Sequence, residues 1–129
     1  MDFHLKLVQL TEKGNHLIVI TGGLIDAGGF RQIFRRIAEK SQSLPQCMIM
    51  IDLEDAELKL DPADFDAIAS EFDSVQWQVA NKIALVSSDA GKFNQLVGLS
   101  QTLRNRGLNV AAFNGDKAAV EWLSGTIPP

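Results

Sequence analysis

The chain holds a single cysteine, Cys47, which excludes an internal disulfide framework and a cysteine-built zinc site. It has only two histidines, His4 and His16, and they form no His-x-Glu, His-x-x-x-His or His/Cys cluster. Long apolar runs are missing as well: Leu17 to Ile20 and Cys47 to Ile51 are far too short to cross a bilayer. Positive charge is not in excess, since 12 basic against 16 acidic residues give −4 and argue against wholesale nucleic-acid binding. The opening Met1-Asp2-Phe3-His4 offers no basic n-region and no apolar h-region, so the expectation is no signal peptide and a cytoplasmic location.

What is present reads as an ordinary globular domain. A length of 129 residues suits one domain, expected over 1–125 with 126–129 as a loose tail. Hydrophobic residues make up 46% and charged residues 22%, enough apolar side chains to form a core without metal or disulfide. Charge is uneven along the chain. From Asp52 to Asp73 nine acidic residues face one base, Lys59, a local charge of −8, while the remainder carries +4. Solvated helix faces and caps account for most such runs; the functional readings are a docking patch for a basic partner or a cation site.

Hydrophobic periodicity gives the order β-β-α-β-α-β-α-β-α. Phe3 to Leu10 alternates and predicts a half-buried strand, joined through Thr11 to Asn15 to a second strand over His16 to Thr21 as an antiparallel hairpin. Gly22-Gly23 is expected to end that strand. Asp26 caps a predicted helix to about Lys40 with the stripe Phe30, Ile33, Phe34, Ile37, although Gly28 and Gly29 argue for a later start. Ser41 to Pro45 is expected to be a loop. Cys47 to Asp52 is nearly all apolar, as in a central strand covered on both faces. Asp61-Pro62 opens the next helix, with Phe65, Ile68, Ala69 and Phe72 inward. Lys82 to Ser87 is a buried strand. Asp89 or Ser88 then caps a helix with Phe93, Leu96, Val97 and Leu103 inward, ended by Gly107. Asn109 to Phe113 is the last strand and Asp116 starts a short helix. Right-handed crossovers make the last three strands parallel. The predicted architecture is α/β: a single mixed sheet, antiparallel at its N-terminal hairpin, with helices packed on it.

The search for chemistry returns mostly exclusions. Gly23 to Gly28 has G-x4-G spacing, but Gly29-Phe30 replaces the Lys-Ser/Thr that a phosphate loop needs. A flexible strand-to-helix turn is the better reading, with a weaker option of an anion at the helix start reinforced by Arg31, Arg35 and Arg36. Those arginines are more often a solvated face, here paired with Glu39. Gly98-Leu99-Ser100-Gln101 lacks the second glycine of a nucleophile elbow and lies within a predicted helix. His4 and His16 read as surface residues, close enough in the hairpin to be cross-strand neighbours. Cys47 reads as an inert buried thiol. Asp52 ends its predicted strand, where α/β proteins often place ligands, but its neighbours fit neither a phosphoaspartate enzyme nor an EF-hand. No catalytic set, metal site or cofactor motif emerges.

The element order, the stretch Met48-Ile49-Met50-Ile51-Asp52-Leu53-Glu54-Asp55, and the ending Val110-Ala111-Ala112-Phe113 followed by Ala118-Ala119-Val120-Glu121-Trp122-Leu123 resemble the SpoIIAA-like branch of the STAS superfamily, the bacterial anti-sigma-factor antagonists. The resemblance runs from Phe3 to Leu123. It implies the STAS fold and a regulatory or protein-interaction role without catalysis. Regulatory members carry Asp-Ser-Ser/Thr-Gly after the central strand, with the serine phosphorylated by a partner kinase. The matching turn here is Asp61-Pro62-Ala63-Asp64: the aspartate is kept, the hydroxyls are absent and Asp64 stands in place of glycine. The expectation is a non-catalytic module lacking the serine switch, with that turn as docking surface, an unidentified protein partner, and a homodimer as one assembly it allows. The alternative is a small apolar, lipid-like ligand with peripheral membrane contact. It rests on the similarity of the SpoIIAA-like fold to lipid-binding CRAL-TRIO domains, with Phe72, Trp77, Phe93 and Leu96 as the pocket.

Overall fold

The computed structural model describes residues 2–11, 14–41, 48–71 and 82–125. Strand β1 (Asp2–Thr11) pairs antiparallel with β2 (Gly14–Ile25); α1 (Ala27–Ser41), β3 (Met48–Leu58), α2 (Pro62–Ala69), β4 (Lys82–Val86), α3 (Ala90–Asn105), β5 (Asn109–Phe113) and α4 (Asp116–Leu123) follow. The sheet order is β1-β2-β3-β4-β5, and β2 to β5 are mutually parallel. Cys47, the turn residues Glu12 and Lys13, most of the expected loop over 41–45, Phe72, Asp73, Trp77 and residues 126–129 lie outside the described residues.

Strand order that follows chain order has a direct consequence. Each right-handed crossover steps the same way across the sheet, so α1, α2 and α3 fall on one face. There they bury the main core, with Leu17, Val19, Ile49, Ile51, Ile83, Leu85 and Val110 of the strands under Phe30, Ile33, Phe34 and Ile37 of α1, Ile68 of α2, and Leu96, Leu99 and Leu103 of α3. Among the described elements, α4 packs on the other face. Its Ala119, Trp122 and Leu123 cover Met50, Ala84 and Val86 at the centre of the sheet.

Several elements depart from the sequence reading. Gly22-Gly23 does not end β2. The strand continues to Ile25 because β3 runs beside it to Leu58, with Gly22 opposite Asp55 and Leu24 opposite Glu57, and Gly23 takes φ +75, a conformation glycine tolerates. Asp52 therefore does not end β3. A register shift between Ile20 and Gly22 puts Asp52 opposite the first and Asp55, not Glu54, opposite the second, the extra residue of a β-bulge. Helix α1 starts at once at Ala27, since Asp26 Oδ1 accepts from the Gly29 N–H at 2.9 Å and offsets the cost of two glycines. Helix α2 stops at Ala69, short of Phe72. Helix α3 buries Leu96, Leu99, Ser100 and Leu103, while Phe93 and Val97 are half-buried. It closes in a Schellman motif: Leu108 N–H reaches the Leu103 carbonyl, Gly107 N–H reaches Arg104, and Gly107 holds φ +89.

Candidate functional site

Strands β2 and β3 end in register, Ile25 beside Leu58, and each feeds a helix within three residues. The starts of α1 and α2 therefore flank one open cleft of about 280 Å³, lined by Asp26, Ala27, Gly28, Lys59, Asp61 and Asp64. The Lys59 N–H to Ile25 carbonyl bond of 2.9 Å ties its two walls together. The expected turn Asp61-Pro62-Ala63-Asp64 is one of those walls, and Asp61, Pro62 and Ala63 are exposed. Asp61 and Asp64 take the N-cap and N3 positions of a capping box. Its short side-chain bond runs opposite to the usual N-cap contact, with the Asp64 carboxylate accepting from the Asp61 N–H at 2.8 Å. The cleft thus meets both helix starts with carboxylates already in place, three against one lysine. That charge balance suits a basic group better than an anion.

The bulge in β3 forms a second polar cluster at the same end of the sheet. Thr21 Oγ1 donates to the Asp52 carbonyl at 2.8 Å, and the Glu54 N–H donates to Asp52 Oδ1 at 3.0 Å. The Lys92 ammonium reaches from the first turn of α3 to the carbonyls of Leu53, Glu54 and Ala56 at 3.2, 2.8 and 2.8 Å. The Glu54 carboxylate accepts from the N–H and hydroxyl of Ser88 at 2.7 and 2.8 Å, just before the Asp89 cap of α3. The strand groups that β4 no longer pairs are taken up by side chains, so Asp52 and Glu54 are bonded within the fold.

Other sequence candidates are placed elsewhere. Arg31 and Arg35 pair with Glu71 beyond α2, at 2.7 and 3.3 Å, rather than with Glu39. A helix-to-helix pair reaches across where an i+4 pair stays on one face. The Arg31 hydrogen bond, with Arg35 adding to it and burial opposing, holds the Glu71 carboxyl below the usual carboxylate range. His16 is not a surface residue. It is 3% exposed, and burial pushes its imidazole below the ordinary histidine range. Nor are the histidines cross-strand partners: Val8 pairs with His16, and His4 with Ile20. The periodicity of β2 carried no signal for this burial, since alternation sets His16 on the face of Ile18 and Ile20, opposite the buried Leu17 and Val19. Ser100 is buried and its Oγ donates to the Val97 carbonyl at 2.8 Å, a bond within the helix. Of the expected apolar pocket, Leu96 has no exposed surface and Phe93 is half-buried, so Leu96 serves the core; Phe72 and Trp77 are not among the described residues. Among the described residues no group of three His, Cys, Asp or Glu side chains is placed to hold a metal ion, and no helix is long and apolar enough to cross a membrane.

No family model matches the sequence, and no curated protein matches it. Solved structures do. An uncharacterized protein of the DUF3478 family with a SpoIIAA-like fold, from Shewanella loihica PV-4, superposes with a TM-score of 0.59 at 11% identity, over 94% of this chain and 93% of that one. The anti-sigma factor antagonist SpoIIAA in its unphosphorylated form gives 0.49 at 14% identity, over 97% and 100%. The Bacillus cell fate determinant SpoIIAA in its phosphorylated form gives 0.45 at 15%, over 93% and 99%. On the first of these superpositions, the chain has a SpoIIAA-like fold.

Proposed function

We propose that the chain is a non-catalytic interaction module of the STAS type, docking a protein partner through the exposed start of α2 and its cleft with α1. The observation that carries this reading is the turn itself. Asp61 to Asp64 contains no hydroxyl to phosphorylate, and the Asp64 carboxylate sits on the Asp61 N–H at 2.8 Å. A phosphate at this place would bring about −2 of charge to the helix start. Asp64 supplies a permanent negative charge there instead, so the module is constitutive rather than switched. The strand order supports the absence of catalysis. Ligand crevices in α/β sheets open where strand order reverses, and the four parallel strands never reverse.

Ala63→Arg tests the reading, because Ala63 is exposed in the turn and makes no cap. Affinity capture from the cells that make the protein should recover a partner with wild type. That partner should be lost with Ala63→Arg at an unchanged melting temperature. Undiminished capture by the variant would place docking elsewhere.

A further inference from the structure

Among the described residues, no helix is seated on the β1–β2 side of one sheet face. Helix α4 packs over β3, β4 and β5, and its cluster reaches Ile18 of β2; beyond Ile18, Ile20 and Leu24 are open to solvent on that side. Alternation puts Ile18, Ile20, Gly22 and Leu24 there, opposite the buried Leu17, Val19, Thr21 and Ile25. Ile20 is 44% and Leu24 52% exposed, the two large apolar side chains most open to solvent among the described residues. Their register partners on β3 are Asp52 and Glu57, with Asp55 opposite Gly22. Asp55 and Glu57 are exposed. The patch is thus an apolar line with a row of carboxylates along one side.

Gly22 sits between Ile20 and Leu24, and a Cβ built on it meets nothing within 4 Å. Its φ lies outside the left-handed region, unlike that of Gly23. Neither backbone conformation nor crowding requires glycine at this position. Its effect is on shape: a notch between two apolar ridges. Four strand residues separate the ridges by about 13 Å, close to the roughly 12 Å between helix positions i and i+8. A partner side chain at i+4 falls over the notch.

We infer that this face docks an amphipathic helix of a partner protein, with an apolar stripe at i, i+4 and i+8 and lysines or arginines beside it. Charge complementarity selects that occupant. Asp52, Asp55 and Glu57 attract basic flanks, repel acidic ones, and disfavour an anionic membrane surface. The face is separate from the α2 turn, so the two sites fail or succeed independently. The test uses a labelled 18-residue peptide of leucine and lysine with that stripe, and a leucine/glutamate counterpart, followed by fluorescence anisotropy against the whole protein. Wild type should bind the lysine peptide and not the glutamate one. Gly22→Val fills the notch with a good strand former, so it should keep the melting temperature while weakening binding at least roughly tenfold. Asp55→Lys with Glu57→Lys should reverse the peptide preference. Equal binding of both peptides, or Gly22→Val binding as wild type does, overturns the inference. Ala63→Arg should leave peptide binding unchanged, and a loss there would move the peptide site to the cleft and overturn it equally.

Discussion

Lys92 shows how much one side chain settles. Where β4 ends at Val86 and β3 continues, three carbonyls of β3 lose a strand partner, and one ammonium accepts the task of bonding all of them. Lys92→Met keeps the length of the stem and removes the donors. It should cost about 2 kcal/mol, the scale of hydrogen bonds to a charged group, read as a lower urea midpoint at unchanged slope. His16 gives a pH dependence. Its imidazole is buried with Nδ1 unpartnered, and desolvation lowers its pKa below 6.5. The unfolded chain therefore binds a proton below pH 6.5 that the folded chain refuses. Stability from this group is complete above that value and is lost as pH falls toward the folded pKa. The melting temperature should drop between pH 7.5 and 5.5 by more in wild type than in His16→Leu. Equal slopes would mean that the imidazole charges without penalty. Glu71 acts in a lower window, since its folded pKa lies below 4.5.

At the scale of elements, α2 and α3 meet at Gly98, where a Cβ would come within 2.8 Å of Phe65 Cε2. Gly98→Ala sets two effects against each other. Alanine gains about 1 kcal/mol of helix propensity, and overpacking costs about 1–3 kcal/mol. The ring must move in a contact between two helices, so the variant should be net less stable by roughly 1 kcal/mol; a higher melting temperature would show that Phe65 swings aside freely. Elements with one clear period were legible in the sequence. The stripe of α1 and the run Ile49 to Ile51 of β3 are buried as read, while Met48 is half-buried. The far ends of β2 and β3 were not, because a bulge and two glycines interrupt alternation at the point where carboxylates enter. Leu53-Glu54-Asp55-Ala56 reads as a polar turn unless the register shift is known. The capping turn at Asp61 was legible from Asp-Pro alone, since aspartate before a proline at N1 has few other roles. The partner of Arg31 and Arg35 was not, as Glu71 lies 40 and 36 residues away and only the packing of α1 beside α2 brings it near.

The whole molecule is governed by its strand order. A sheet laid down in sequence places α1, α2 and α3 on one face and α4 on the other and, among the described residues, leaves Ile20 and Leu24 of β2 open to solvent. It also aligns the starts of α1 and α2 at one cleft, each carrying its own carboxylate. Sequence reasoning reached the α/β class and the turn. It did not reach the open face, because exposure of Ile20 depends on where α4 lies and not on the pattern of β2. The central claim is that the α2 turn is permanently set and takes no phosphate. Native intact-mass measurement of the protein isolated from the cells that make it tests this in one spectrum. The mass should equal that of the polypeptide, with no phosphate and no retained apolar molecule. A phosphorylated species, mapped for instance to Ser70 at the end of α2, would contradict a constitutive module, and a retained lipid-like mass would replace docking with ligand carriage.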